Sequence, residues 1–79
     1  MQIVIYPRGL MRQYFSGESQ LVIQAVKGVT VAQVLKQSGL DWEKCPNFGF
    51  IAINGKRATI YQNLSDGDIL KVFPTITGG

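Results

Sequence analysis

The chain has 79 residues, a formal net charge of +3, one cysteine and no histidine. A single small domain of this size buries only about 60 to 65% of the surface of its unfolded chain, so a cofactor pocket of the usual ~300 to 1,000 Å³ would hollow out its core. The lone thiol excludes an intrachain disulfide and an iron–sulfur cluster, and the missing histidine removes Cys/His and Ser/His catalysis and the soft-ligand metal sites.

Residues 2–6 alternate as a strand, with Met1, Ile3 and Ile5 on one face and Val4 and Tyr6 on the other. Residues 7–19 read as a polar, glycine-containing connection. A second strand over 20–26 carries Leu21, Ile23 and Ala25 on its apolar face, although Val22 and Val26 leave the inward choice open. Thr30-Val31-Ala32-Gln33 fits a capping box, and Val29 and Val34 are spaced as the hydrophobic staple around it. The helix therefore starts at Val31 and stops near Ser38, where Gly39 suits the left-handed position and Leu40 packs back on Leu35. A helix of little more than two turns is unstable alone and must lie on a sheet through Val31, Val34 and Leu35.

Residues 41–49 read as a loop around Trp42 and Pro46, followed by a strand over 50–53 that runs into Asn54-Gly55, a hairpin signal. A return strand over 56–60, a brief turn over 61–64 and the Asp66-Gly67-Asp68 turn come next. The last strand, 69–73, ends at Pro74, which has no amide to continue a ladder. This order requires a right-handed crossover and a mixed sheet of four to five strands with one main helix on one face. That α+β architecture is the β-grasp of ubiquitin-like proteins, here a domain over 1–74 with Leu35, Ile53, Leu70 and Val72 in its core.

The remaining residues, Thr75-Ile76-Thr77-Gly78-Gly79, read as a flexible tail. Glycine has the largest backbone entropy cost on ordering and brings no apolar area, so Gly78 and Gly79 do not serve the fold. They suit a narrow channel in a partner, and five extended residues reach about 17 Å.

The helix entry Gly28-Val29-Thr30-Val31, then Ala52-Ile53-Asn54-Gly55, then Leu64-Ser65-Asp66-Gly67-Asp68 and Phe73-Pro74 before the Gly-Gly ending together resemble the MoaD/ThiS family of ubiquitin-like sulfur carriers. The resemblance covers the whole chain. Phe-Pro is nearer the small subunit of molybdopterin synthase than the thiazole-forming carriers, but the usual second proline of that group is Thr75 here. The resemblance implies chemistry on Gly79: an E1-like adenylating enzyme uses ATP to form an acyl-adenylate, a sulfur donor attacks it, and a C-terminal thiocarboxylate results. Sulfur then passes to an acceptor synthase, the molybdopterin synthase large subunit or thiazole synthase. It also implies a non-enzymatic carrier with no bound cofactor, whose catalytic groups belong to its partners. Gly78 and Gly79 are then the reacting end, with Pro74, Thr75, Ile76 and Thr77 as the segment a partner grips.

Two rivals share the tail: a ubiquitin-like modifier joined to lysines through Gly79, and a β-grasp binding module with an accidental Gly-Gly. Asp66 and Asp68 read as turn chemistry rather than a carboxylate pair. Cys45 reads as a nonessential loop thiol. The basic residues Arg8, Arg12, Lys27, Lys36, Lys44, Lys56, Arg57 and Lys71 are scattered, which suits solvated surface and not a nucleic-acid stripe. The start of the chain has no basic leader and no apolar run approaches membrane-spanning length, so no membrane role and a cytoplasmic location are expected. If Leu70 and Val72 face the helix, then Ile69 and Phe73 point away beside Phe50 and Ala52. That apolar patch is either a docking surface or a patch covered by Trp42 or Tyr61.

Overall fold

The computed structural model describes residues 1–76. Its elements in chain order are β1 (Gln2–Pro7), a 3₁₀ helix (Gly9–Phe15), β2 (Leu21–Gln24), α1 (Val31–Gln37), a second 3₁₀ turn (Trp42–Lys44), β3 (Phe48–Ile53), β4 (Lys56–Ala58) and β5 (Ile69–Pro74). The strands form one sheet in the order β2-β1-β5-β3-β4. β1 and β5 pair in parallel, and the other neighbours are antiparallel. The mixed five-stranded sheet with α1 on one face is the expected β-grasp.

Local signals place α1 where the sequence indicates. The Thr30 hydroxyl accepts from the Gln33 N–H at 3.3 Å, and the Gln33 side chain accepts from the Thr30 N–H at 2.9 Å, closing the capping box. At the other end the N–H of Leu40 donates to Leu35 and that of Gly39 to Lys36, with Gly39 at φ 104, which is a Schellman motif. Two further N-terminal amides, of Val31 and Ala32, donate to the carbonyls of Gln62 and Ile60, so the 60–62 segment caps the helix as well. Thr30→Ala should therefore lower stability by about 1 kcal/mol, measured by urea denaturation. An unchanged midpoint would show that the 60–62 segment caps the helix unaided.

The core lies between α1 and the inward face of the sheet. Ile3, Ile5, Val31, Val34, Leu35, Leu70 and Val72 have no exposed surface, and Ile53 is buried with them. In β2 the inward choice falls on Leu21, Ile23 and Ala25, because Val22 and Val26 are 52% and 76% exposed. Several boundaries differ from the sequence reading. β2 is confined to Leu21–Gln24, β3 begins two residues earlier, at Phe48, β4 stops at Ala58, and β1 and β5 each run one residue further, to Pro7 and Pro74. The 7–19 connection is no mere polar link, since its 3₁₀ helix contributes Met11 and Phe15 to the core. That helix closes the end of the sheet from which the tail departs.

The two polar turns lock together. Asn54 and Gly55 both have positive φ, 51° and 85°, as a type I′ hairpin requires. The Asn54 amide donates to the Asp68 carboxylate at 2.9 Å while its oxygen accepts from the Ile69 N–H. Asp68 also accepts from the Ser65 N–H, and Asp66 accepts from the Gln2 N–H. These carboxylates are occupied as turn anchors, in keeping with the turn reading of both.

Candidate functional site: the tail root and the outer sheet face

The outer face of the sheet is the one opposite α1. The register of β5 against β3 sets Phe73 beside Phe50 and Lys71 beside Ala52. The rings of Phe50 and Phe73 stack with centroids 4.6 Å apart and planes 10° from parallel. The Arg57 guanidinium lies 4.6 Å from the Phe50 centroid on the other flank, a cation–π contact from β4. Both rings remain half-buried, and Ile69 is 40% exposed. Neither suggested cover is there: Trp42 packs its ring against Phe48 and Tyr61, each at 6.3 Å, on the helix side of the sheet. Among the described residues Arg57 covers part of the patch, and Phe50 and Phe73 keep exposed surface.

The same face continues across β5 to β1, where Tyr6, Arg8, Ile69 and Lys71 line an open hollow of about 570 Å³ with the Asn54-Gly55 turn. Arg8 and Arg57 flank these groups from beyond β1 and from β4, while Lys71 stands among them on central β5, between Ile69 and Phe73. An open face of mixed apolar and cationic groups suits a protein surface better than an enclosed small ligand. Among the described residues no group of three histidines, cysteines or carboxylates is placed to hold a metal ion.

At the edge of this face the tail begins. The Thr75 N–H donates to the Asn47 carbonyl at 2.8 Å, so hydrogen bonding to the domain extends one residue past Pro74. β3 carries a bulge there: Phe48 pairs with Pro74 and Phe50 with Phe73, leaving Gly49 as the extra residue. A Cβ on Gly49 would overlap the Pro74 carbonyl oxygen and lie 2.6 Å from the Pro74 carbonyl carbon and 2.8 Å from the Thr75 nitrogen. Gly49, Phe50, Arg57, Pro74, Thr75 and Ile76 bound a shallow groove of about 300 Å³. Ile76 is exposed, and Thr77, Gly78 and Gly79 lie outside the described residues.

Behind the root, the Asn47 amide donates to the Tyr14 hydroxyl at 3.2 Å, tying the 45–47 loop to the first 3₁₀ helix. The Cys45 thiol beside that hydroxyl, with some desolvation, raises the Tyr14 pKa above its ordinary value, while the Asn47 amide acts in the opposite direction. Cys45 itself is buried. Phe50, Ile69, Phe73 and Pro74 are therefore brought together on one surface with Thr75 and Ile76 at its margin. The sequence reading gave no site role to Asn47 or Gly49 and took Arg57 as solvated surface, whereas it lies over the Phe50 ring. Gly49 carried a signal, since glycine within an apolar strand marks a bulge or a close backbone approach.

The fold recurs among solved structures. Small archaeal modifier protein 1 of Haloferax volcanii superposes with a TM-score of 0.76 at 15% identity, covering 95% of this chain and 98% of that one. The putative molybdopterin converting factor subunit 1 of Pyrococcus furiosus gives 0.72 at 22% identity, with 95% and 98% covered. A complex of subunits 1 and 2 of molybdopterin-converting factor from Helicobacter pylori contains a chain that gives 0.63 at 23% identity, both chains being covered in full. At these identities the likeness shows the fold alone. Comparison with curated protein sequences gives no match. The family model of the ThiS family matches residues 10–79, from the first 3₁₀ helix through both terminal glycines, and the chain is accordingly a member of the ThiS family.

Proposed function

We propose that the protein is a sulfur carrier whose working group is the Gly79 carboxylate. An E1-like enzyme joins that carboxylate to AMP from ATP, releasing pyrophosphate and giving the carbonyl a leaving group. The terminal sulfur of a partner's cysteine persulfide attacks and AMP departs, leaving an acyl disulfide; a second thiol then attacks the partner's cysteine sulfur, so that a cysteine disulfide forms and the thiocarboxylate leaves. The acceptor is a synthase that places the sulfur in molybdopterin or in another sulfur-containing metabolite such as the thiamine thiazole. No catalytic group of the carrier is needed, since activation and transfer are supplied by the partners.

The observation that carries this reading is the family match running through Gly79, the residue on which the chemistry falls. The solved pairing of a similar subunit with a second subunit supports a function exercised in complexes. Intact mass spectrometry of protein isolated from its native cell tests it: a gain of about 16 mass units, one oxygen exchanged for sulfur, is expected. Lysine-linked conjugates without that gain would make the protein a modifier instead.

The outer face is the surface we assign to docking. Phe73→Asp should weaken binding to the activating enzyme or the acceptor by at least about tenfold, with little change in melting temperature, because Phe73 is half-buried and outside the core. Calorimetric titration reads the first quantity and thermal denaturation the second. Unchanged affinity for both partners would remove the face from docking, and a large loss of stability would make Phe73 a structural residue.

A further inference from the structure

We propose that Gly49 and Asn47 form a seat that aims the tail, acting as positioning residues for chemistry at Gly79; the inference rests on the carrier reading. The seat has two parts. The Asn47 carbonyl accepts the Thr75 N–H, fixing one end of the Pro74–Thr75 peptide. Gly49 lets that peptide lie directly on β3, closer than any side chain permits. Gly49, unlike six other glycines of the domain, does not have a positive φ, so backbone freedom does not explain it. Space does: the atoms a Cβ would meet are backbone atoms of the tail root, which have no rotamer through which to yield. On its other side the Pro74 ring faces Gly9, where an added Cβ would sit at an ordinary contact distance of 3.7 Å from the ring. The root is thus confined between β3 and the first 3₁₀ helix, and the Asn47–Tyr14 hydrogen bond braces the loop that supplies the acceptor.

Any side chain at position 49 must displace Pro74 and Thr75, and with them the direction in which Ile76 leaves the domain. A misplacement of about 1 Å at a reacting centre lowers rates by up to ~100-fold. Phe50, Ile69 and Phe73 lie before the displaced peptide, whereas Pro74, Thr75 and Ile76 at the margin of the docking face move with it. Tail aim is therefore affected more than docking.

Gly49→Ala is the test, with ATP-dependent AMP release by the cognate activating enzyme as readout. The expected result is a kcat lower by about tenfold or more, a KM that rises by less than kcat falls, and a native circular dichroism spectrum. The temperature coefficient of the Thr75 amide proton should also change from that of a hydrogen-bonded to that of a solvent-exposed amide. Should Gly49→Ala fail to fold, Asn47→Ala removes the side chain that ties the acceptor loop to Tyr14 without adding an atom at position 49, and it should lower kcat in the same direction. Wild-type kcat in the folded variant overturns the proposal, as does a raised KM at unchanged kcat, which would make Gly49 a docking contact. If the wild-type chain itself releases no AMP, the carrier reading fails. The Thr75 amide then still decides whether the seat exists: an amide insensitive to Gly49→Ala overturns it.

Discussion

Deleting Gly79, or appending a single residue after it, should abolish ATP-dependent sulfur loading while leaving the melting temperature of the domain unchanged. Every step of the proposed chemistry passes through one carbonyl, and no neighbouring residue can substitute for it. The fold is indifferent to the change because the core ends at Val72 and the last described hydrogen bond to the domain is that of Thr75. Gly78→Val should impair loading as well, since a branched side chain then stands where a partner must close around bare backbone. AMP release followed by mass analysis of the carrier reads both variants. Loading of the truncated or extended chain at the wild-type rate would sink the C-terminal mechanism and turn attention to the buried thiol of Cys45.

The second large effect belongs to the core. Leu70 is fully buried in the central strand β5, with Ile5 opposite on β1 and Ile53 opposite on β3. Leu70→Ala should cost roughly 2 to 5 kcal/mol, the range for a leucine whose cavity cannot collapse. In a domain whose whole stability is about 5 to 15 kcal/mol, that loss removes a large share of it. Urea denaturation gives the value. A loss below about 1 kcal/mol would mean that the alternation in β5 is assigned one residue out of register and that the outer and inner faces are exchanged.

The parts of the fold legible in the sequence are those fixed by neighbours along the chain. Thr30 and Gln33 satisfy each other's backbone within four residues, Gly39 and Leu40 close the helix within six, and the Asn54-Gly55 turn needs only its own two dihedrals. The alternation of Ile69 to Phe73 set the register of β5 because burying Leu70 and Val72 left no other choice of face. The 3₁₀ helix of residues 9–15 was missed for a physical reason: short 3₁₀ segments carry no sustained apolar period, and exposed Leu10 next to buried Met11 blurs which positions face inward. The outer apolar face was legible in its residues but not in its cover, since the packing of Trp42 on Phe48 and Tyr61 depends on how the 41–49 segment folds. Gly49 lay furthest from reach. Its requirement is created by Pro74 and Thr75, far along the chain, and no local rule contains that distance.

The position of β5 has a bearing on how the protein is made. The strand at the centre of the sheet is the last of the five to leave the ribosome, and it alone joins the β2-β1 hairpin to the β3-β4 hairpin. Until it emerges, each hairpin has an unfilled edge and a bare apolar face, the condition in which nascent chains pair with one another. Joining Val4 to Ile69 closes nearly the whole chain into one loop, a slow step for a domain so small. Chaperone dependence and inclusion-body formation should therefore respond more to substitutions in β5 than to equally destabilising ones in α1, whose capping and Schellman contacts form from residues already synthesised.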